Sequence, residues 1–269
     1  MGVSRQLRPE ETVPASKRNL TIVVPAFNEE AYIEATLAAV SEVAINVLDA
    51  YEIIVVDDGS SDNTGAIAER FAAAHPNTRV KHQQVNQGVG AAYLLGLTEA
   101  RFPYLTLVPG DNVFSRTAVE NVFAAVGRAP LVVSYRDNME VRTRVRHALS
   151  IICTTSMRLI CGRSIRDAHS MYVFPVDVAR TIPVQPGYGY HIESLGRLLY
   201  LVPNFLEVPA PINPRPDANS GVMRISVLWL LGITMLRLAG WRIMAGCRSF
   251  LFPAAAIDEE TAPLGRRIP

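Results

Sequence analysis

Four short polar segments in the first half of the chain carry side chains suited to binding a nucleotide. The most distinctive is Asp57-Asp58-Gly59-Ser60, in which two carboxylates precede a turn. A carboxylate accepts hydrogen bonds from a ribose diol or a base N–H, and such charge-assisted bonds are roughly twice as strong as neutral ones. Gly59 lets the backbone turn where a side chain would block a base. Alone, this segment would equally fit a turn before a helix cap at Asp62. The other three segments are Phe27 to Glu29, Asn86 to Gly90 and Pro109 to Asn112.

The strands that must position these segments are predicted by the apolar runs that precede them. Helical patterns separate the runs, the first opening at Asn28 and the second at Asp62, and the links are short. This alternation predicts an α/β fold with a mainly parallel sheet flanked by helices. Ligands bind at the carboxyl ends of such strands, so we expect the four segments to converge on one edge. The predicted strands are Leu20 to Pro25, Tyr51 to Val56, Val80 to Val85 and Tyr104 to Val108.

The second half of the chain is rich in arginine. Residues 1–127 hold 9 basic and 15 acidic side chains, whereas residues 128–250 hold 15 and 7, and all 15 of those basic residues are arginine. Arginine suits bidentate recognition of phosphate better than lysine does. The division predicts one half that handles a cation or ribose hydroxyls and another that faces phosphate or an anionic surface, unless arginine is simply the preferred cation. A strand is predicted at 131–134 and helices at 141–159 and 191–201.

The chain is expected to form one α/β domain (19–221) between a flexible N-terminus (1–18) and an amphipathic helical segment (222–250) followed by a tail (251–269). As a helix, the apolar run Ile225 to Leu236 would span roughly 18 Å, short of the roughly 30 Å hydrocarbon core of a bilayer. Trp229 and Trp241 lie in or beside this run among arginines. That mixture favours a helix lying in the membrane interface, with a buried core helix as the alternative.

The N-terminus and the cysteines indicate a compartment. Residues 1–18 contain no apolar segment typical of an export signal, and Cys153, Cys161 and Cys247 form no Cys-x-x-Cys pair. We therefore expect a cytoplasmic protein without disulfides or a structural zinc site, placed at the inner face of the membrane if segment 222–250 lies there. No nucleic-acid partner is expected.

Three of the polar segments, with their neighbours, carry a family resemblance. They read Val24-Pro25-Ala26-Phe27-Asn28-Glu29, then residues 55–64 (VVDDGSSDNT), then residues 86–92 (NQGVGAA). In this order they resemble the family 2 glycosyltransferases of GT-A fold, and among these the polyprenyl-phosphate (dolichol-phosphate) mannosyltransferases. The resemblance implies a GT-A, Rossmann-like fold and a site for a nucleoside-diphosphate sugar donor. It assigns that site to Pro25, Phe27, Glu29, Asp57, Asp58, Gly88 and Asp111.

The metal motif of the family is incomplete in this chain. Family members usually carry Asp-x-Asp after the fourth strand, where the carboxylates meet a divalent ion that bridges the donor phosphates. The matching stretch here is Pro109-Gly110-Asp111, so only the second aspartate is present. Because Mg²⁺ often uses one or two carboxylates together with phosphate, the resemblance implies Mg²⁺ or Mn²⁺ held by Asp111 with reduced affinity. Metal-independent action is the alternative.

The arginine-rich half also resembles the family, in shorter stretches. Ser134-Tyr135-Arg136, the helix segment from Arg146 to Ser150, and Arg215 after Glu207-Val208-Pro209 are similar to its conserved patterns. The resemblance implies that Arg136, Arg146 and Arg215 hold an acceptor phosphate and that Asp111, Arg136 and Arg146 serve the reaction. That reaction would move a sugar, with inversion, from GDP-mannose or a UDP-sugar to a polyprenyl phosphate.

Three other interpretations are considered. A soluble sugar or other small-molecule hydroxyl acceptor would need a general base, for which Asp167 and Glu193 are the candidates. A catalytically inactive module that binds sugar nucleotides would fit the missing aspartate. A nicotinamide-dependent oxidoreductase is disfavoured, because Tyr93 replaces the third glycine of its fingerprint and the Gly88-Val89-Gly90 loop follows the third strand rather than the first.

Overall fold

The computed structural model describes residues 17–138, 144–187, 189–214 and 225–251 of the 269-residue chain. Arg215, nearly all of the expected flexible N-terminus and nearly all of the tail therefore lie outside the described residues. Arg146 lies inside them as part of a helix, but its side chain is not described.

A seven-stranded sheet forms the centre of the molecule, in the order β3-β2-β1-β4-β6-β5-β7. Only β6 runs antiparallel to its neighbours β4 and β5, and the remaining pairs are parallel. The sequence prediction of a mainly parallel α/β sheet is confirmed. The strands are β1 Asn19–Ala26, β2 Ala50–Asp57, β3 Thr78–His82, β4 Tyr104–Leu107, β5 Val132–Tyr135, β6 Tyr172–Pro175 and β7 Leu206–Pro209.

Helices cover both faces of this sheet. One core contains Ile22 and Val24 of β1, and the other contains Val23, the residue between them, because successive side chains of a strand point to opposite faces. A strand buried on both faces reads as a continuous apolar run, as β1 does. The helices are α1 Ile33–Val47, α2 Thr64–Ala74, α3 Val89–Glu99, α4 Arg116–Ala124, α5 Arg144–Cys161, α6 Val176–Arg180, α7 Tyr190–Leu201 and α8 Ile225–Leu251.

Most predicted element boundaries differ by a few residues from those of the structure, and three of these differences lie beside the polar segments. Helix α1 begins at Ile33 rather than near Asn28, because Asn28 has a φ of 55° and residues 29–32 form a turn first. Helix α2 begins at Thr64, and Asp62 accepts a hydrogen bond from the Thr64 N–H at 2.9 Å, one position earlier than a usual cap. Strand β3 ends at His82, three residues before the predicted end.

Helix α8 is amphipathic and packs against α5 and α7. Thr234 and Leu238 are buried on its inner side, whereas Trp229 and Leu236 on its outer side are 73% and 74% exposed. Trp241 faces inward, where its ring meets Tyr200 edge-on at 5.3 Å between centroids. Within the described ranges no helix is long and apolar enough to cross a membrane.

Candidate functional site

The carboxyl end of β1 lies between two acidic segments. Ala26 is paired with Asp57 on β2, and on the other side of β1 the Gly110 N–H donates to the Pro25 carbonyl oxygen at 2.9 Å. Neighbouring strands are about 4.8 Å apart, so Asp57 and the Gly110-Asp111 segment flank β1 at one edge of the sheet. The structure thus brings both acidic segments together although they are far apart in sequence.

Asp58 shapes the loop that precedes α3. Its Oδ1 accepts a hydrogen bond from the Gln87 N–H and its Oδ2 one from the Gly88 N–H, both at 2.7 Å, and the side chain is buried. Gly88 has a φ of 83°, a conformation that favours glycine. The first contact of the Asp58 carboxylate is therefore with the protein backbone, and a ligand would use the lone pairs that remain.

The segment after β1 is fastened to the loop after β2. Asn28 accepts a hydrogen bond from the Ser61 N–H at 2.9 Å, and the Glu29 N–H donates to the Thr64 hydroxyl at 2.7 Å. Phe27, at the start of this segment, is 42% exposed. An exposed aromatic ring held beside two buried carboxylates is suited to stacking on a base.

Asp57 itself is held from two sides. Its Oδ1 accepts a hydrogen bond from the Ser60 N–H at 3.1 Å, and its Oδ2 lies 2.8 Å from Nδ1 of His82. A Cβ atom on Gly65 would lie 2.6 Å from this Oδ2, so only glycine leaves room for the pair. The carboxylate is therefore fixed in orientation at the edge of the sheet.

Asp111 provides a single carboxylate where a metal is expected. Its Oδ1 accepts a hydrogen bond from the Val113 N–H at 3.2 Å. In the described part of the chain no cluster of three or more histidine, cysteine, aspartate or glutamate side chains could hold a metal by itself. One carboxylate suits Mg²⁺ or Mn²⁺ only if phosphate oxygens also bind the ion. Hard cations such as Mg²⁺ often bind one or two protein carboxylates and take their other ligands from phosphate and water.

Arg136 follows β5 and is buried in an ion pair with Asp167. Its Nε and Nη2 donate to the two carboxylate oxygens at 2.6 and 2.8 Å, and Nη2 also donates to the Ser150 hydroxyl at 3.1 Å. Burial alone would raise the pKa of the Asp167 carboxyl, but the hydrogen bond and charge of Arg136 outweigh burial and hold this pKa below its ordinary value. Within the described residues Nη1 of Arg136 makes no hydrogen bond, which leaves its N–H groups for a ligand.

A cavity of about 990 Å³ adjoins this ion pair. The loop of residues 86–90 forms one wall, and α5, α7 and α8 form the others. The polar side chains at the cavity include Arg136, Ser150, His169 and His191, whereas Leu149, Ile152, Leu231 and Met235 line its apolar walls. The cavity therefore joins the predicted donor loop and a cationic group to an apolar region between helices.

The remaining predicted site residues are placed less completely. Arg146 lies on α5, four residues before Ser150 and on the same helix that lines the cavity. Glu193, one of the two candidate bases, is buried on α7 and accepts a hydrogen bond from Nη2 of Arg197 at 2.5 Å. Both candidate bases are thus ion-paired with arginine.

Comparison with known proteins identifies the family. The family model described as glycosyl transferase family 2 matches residues 21–179. This range contains the acidic edge, formed by Asp57, Asp58 and Asp111, and the loops after β2 and β3. The chain belongs to glycosyltransferase family 2. It is a glycosyltransferase, and its α/β sheet with one antiparallel strand is the GT-A fold.

Two curated relatives align over most of this glycosyltransferase. The polyprenol monophosphomannose synthase of Mycolicibacterium smegmatis is 38% identical over 229 residues, covering 80% of this chain and 83% of the relative. The undecaprenyl-phosphate mannosyltransferase of Micrococcus luteus is 27% identical over 204 residues, covering 71% and 82%. The match to glycosyltransferase GlyG of Streptococcus pneumoniae is shorter, 31% identical over 107 residues, and spans only 35% of that protein.

A solved structure supports the fold. Glucosyl-3-phosphoglycerate synthase from Mycobacterium tuberculosis, in complex with uridine diphosphate, superposes with a TM-score of 0.62 at 23% identity, covering 83% of this chain and 80% of that one. Another structure of that enzyme contains Mn²⁺, uridine diphosphate and phosphoglyceric acid.

His82 and the helical walls of the cavity were absent from the predicted site. A strand predicted over Val80 to Val85 places His82 in mid-strand, whereas β3 ends at His82 and sets it opposite Asp57. The polar pair Gln83-Gln84 was the available signal for this earlier end. The cavity walls carry no signal of that kind, because ordinary apolar helix residues form them.

Proposed function

We propose that this glycosyltransferase moves a sugar from a nucleoside-diphosphate sugar to a polyprenyl phosphate. The observation that carries the proposal is the cavity, which joins the predicted donor loop of residues 86–90 and Arg136 to an apolar region between α5 and α8. A polyprenyl phosphate has the matching chemistry, an anionic head on an apolar chain. The names of the Mycolicibacterium smegmatis and Micrococcus luteus relatives point to the same class of acceptor.

The donor is proposed to bind at the acidic edge, with its base near Phe27 and its ribose near Asp57. Pro25 and Glu29 position the segment after β1, and Asp58 and Gly88 position the loop after β3. A ribose diol can donate to carboxylate oxygens, and such bonds are stronger than those between neutral groups. GDP-mannose and UDP-sugars both satisfy this description, and the complexes of the Mycobacterium tuberculosis enzyme with uridine diphosphate are in keeping with it.

The acceptor phosphate is proposed to act as the nucleophile without a general base. The second ionisation of a phosphate monoester lies near pH 6, so its oxygen is already anionic at neutral pH. Arg136, with Arg146 and Arg215, would screen its charge and hold it in line behind the anomeric carbon. The phosphate oxygen bonds to that carbon as the bond to the donor diphosphate breaks. The nucleoside diphosphate then departs and the configuration inverts.

Asp111 is proposed to hold a divalent ion jointly with the donor diphosphate. Such an ion would supply positive charge to the leaving diphosphate. Asp111 lies next to the end of β1, beside the place proposed for the donor. Its single carboxylate predicts a lower affinity for the metal than a paired aspartate motif gives, and metal-independent transfer is the alternative.

Peripheral contact with a membrane is proposed through an apolar face shared by α5 and α8. These helices pack together, and Ile152 belongs both to this face and to the cavity wall. A bilayer touching this face would reach the cavity, so the acceptor could enter without leaving lipid. The apolar face consists of the exposed residues Val145, Ile151, Ile152 and Leu159 on α5 and Trp229, Leu236, Ile243 and Met244 on α8.

A soluble hydroxyl acceptor is the competing proposal. It needs Asp167 or Glu193 to take a proton, but each carboxylate is paired with an arginine. The lowered pKa of Asp167 makes that carboxylate a weak base. The pairing therefore favours an acceptor that arrives already ionised.

The deciding experiment measures transfer from radiolabelled GDP-mannose and UDP-glucose to polyprenyl phosphate, with polyprenol and phosphoglycerate as comparison acceptors. We expect a glycosylated lipid phosphate only with polyprenyl phosphate. Arg136→Lys and Arg146→Ala should each lower transfer by about 10² to 10³ while donor binding is kept. Arg136→Lys retains a cation for Asp167, which guards against simple unfolding. Transfer to phosphoglycerate or to polyprenol in preference to the lipid phosphate would refute the proposal.

A further inference from the structure

His82 lies between two carboxylates that come from different elements. Its Nδ1 is 2.8 Å from Oδ2 of Asp57, the last residue of β2, and its Nε2 is 2.9 Å from Oε1 of Glu69 on α2. Asp57 and Glu69 are the charged groups that face the ring, and the imidazole is 47% exposed. The predicted donor site includes Asp57 but assigns no role to His82.

The two distances determine the protonation state that suits this arrangement. A carboxylate oxygen accepts hydrogen bonds, so each ring nitrogen must carry a hydrogen to bond its partner. A neutral imidazole has one N–H, whereas the imidazolium has two. The hydrogen bond that the ring donates to Asp57 and then the one that it donates to Glu69 raise the pKa of His82, and partial burial opposes them less strongly.

We propose that His82 is a positioning residue for the donor, which it serves as an imidazolium by orienting the Asp57 carboxylate and offsetting its charge. This inference rests on the proposed donor site at Asp57. One oxygen of Asp57 accepts a hydrogen bond from the Ser60 N–H and the other accepts one from His82. The two bonds together prevent the carboxylate from rotating away from the edge. The imidazolium also lowers the negative potential that an anionic nucleotide sugar meets there.

The consequence is a donor affinity that depends on the charge of His82. Below the ordinary histidine pKa of about 6.5 the imidazolium is fully present, and it is lost as pH rises through the raised pKa of the folded protein. Donor affinity should therefore fall as pH rises through that raised value. By linkage, a bound anionic donor should raise the pKa of His82 further.

The test measures the dissociation constants of UDP-glucose and GDP-mannose by titration calorimetry from about pH 6 to about pH 8.5, across the range in which histidine titrates. Neither donor has a phosphate that titrates in this range. We expect about a threefold weakening in the wild-type protein at the alkaline end. His82→Gln should bind weakly at every pH with a flat profile, and His82→Lys should restore affinity with a flat profile.

Two further variants separate positioning from a structural effect. Glu69→Gln removes the negative charge of one partner and should shift the transition to lower pH, whereas His75→Gln, on a ring whose Nδ1 lies 2.8 Å from the Phe71 carbonyl oxygen, should match the wild-type profile. Donor binding whose pH profile is unchanged in His82→Gln would overturn this inference alone. A wild-type protein that binds no nucleotide sugar would overturn the donor site and this inference with it.

Discussion

At the scale of single residues, the proposed donor site contains two carboxylates that are held in place by hydrogen bonds from the protein itself. Asp57 is held by Ser60 and His82, and Asp58 by two backbone N–H groups. Hydrogen bonds from the protein pre-orient a carboxylate, so little order would have to be created on binding if the donor binds as proposed. The edge is thus preorganised.

Asp58→Ala should weaken donor binding by about tenfold to a hundredfold, because a hydrogen bond to a charged group contributes about 1.5 to 3 kcal/mol and two of them hold residues 87 and 88. Calorimetric titration with UDP and GDP measures the loss, and the melting temperature reports on folding. Asp177→Ala is the control, since Asp177 is an exposed residue of α6 at the opposite edge of the sheet. Full affinity in Asp58→Ala would show that the loop orders itself without this carboxylate.

Because of the Arg136–Asp167 pair, the free energy of unfolding should decrease at low pH. The pKa of Asp167 is lowered in the folded protein, so its contribution is complete above the ordinary value of about 3.9 and is lost as pH falls through the lowered value. Urea unfolding from about pH 6 to about pH 2 should therefore show a steep loss of stability in the wild-type protein. Asp167→Asn should be less stable at neutral pH, by about 3 to 5 kcal/mol, and should have a shallower dependence on acid.

The matched control for that series is Asp49→Asn, which alters an exposed pair with Arg18 at 3.8 Å. Its acid profile should follow the wild type, because exposed ion pairs contribute about 1 kcal/mol or less. Equal acid profiles in Asp167→Asn and the wild type would contradict a stabilising role for the buried pair.

At the scale of elements, strands β1 to β5 were predictable from the sequence, whereas β6, β7 and the position of the last helix were not. Apolar runs precede Asp57 and Asp111, and short links join each run to the next helical pattern. This alternation indicates that the strands are parallel. The antiparallel β6 and the inward side of Trp241 depend on tertiary packing, for which local pattern carries no signal. The role of His82 could not be predicted for the same reason, because its pairing opposite Asp57 depends on where β3 ends.

Gly196 should be required for the contact between α7 and α8. A Cβ atom there would lie within 3.0 Å of both Cδ1 and Cδ2 of Leu238, although Leu238 can move at some cost. Gly196→Ala should therefore destabilise the protein by about 1 to 3 kcal/mol, whereas Gly240→Ala, where a Cβ meets nothing within 4 Å, should stabilise it by up to about 1 kcal/mol. Thermal and urea unfolding of both variants measure the difference. A gain of stability in Gly196→Ala would mean that α8 is not held as closely as described.

At the scale of the whole molecule, the acidic and the exposed apolar side chains lie on different elements. The proposed donor edge carries Asp57, Asp58 and Asp111, whereas the exposed apolar residues are on α5 and α8, where Ile152 also lines the cavity. Exposed apolar surface collected on two neighbouring helices is typical of a site that meets another apolar surface. If the donor, the acceptor and the membrane bind as proposed, this arrangement would turn the donor edge toward water and the cavity toward lipid.

Replacing both Trp229 and Leu236 by serine should weaken binding to phosphatidylglycerol vesicles by at least about tenfold, since burying each side chain contributes about 1.5 to 3 kcal/mol. Vesicle sedimentation measures the bound fraction. The melting temperature should change little because both side chains are mostly exposed. Ile45→Ser is the control, as Ile45 is an equally exposed apolar residue on α1, away from the apolar face. Equal loss of binding in the control would argue for a non-specific association.

The cavity bears on which acceptors the enzyme can tell apart. The walls around this space of about 990 Å³ include Ile152, which is also exposed on the apolar face of α5, so a polyprenyl chain held as proposed could leave the cavity there. Units farther along the chain would stay among the lipid tails and touch no residue of the enzyme. On this view the enzyme measures the head of its acceptor and is indifferent to the length of the tail, so one protein could serve carriers of several lengths in the same membrane.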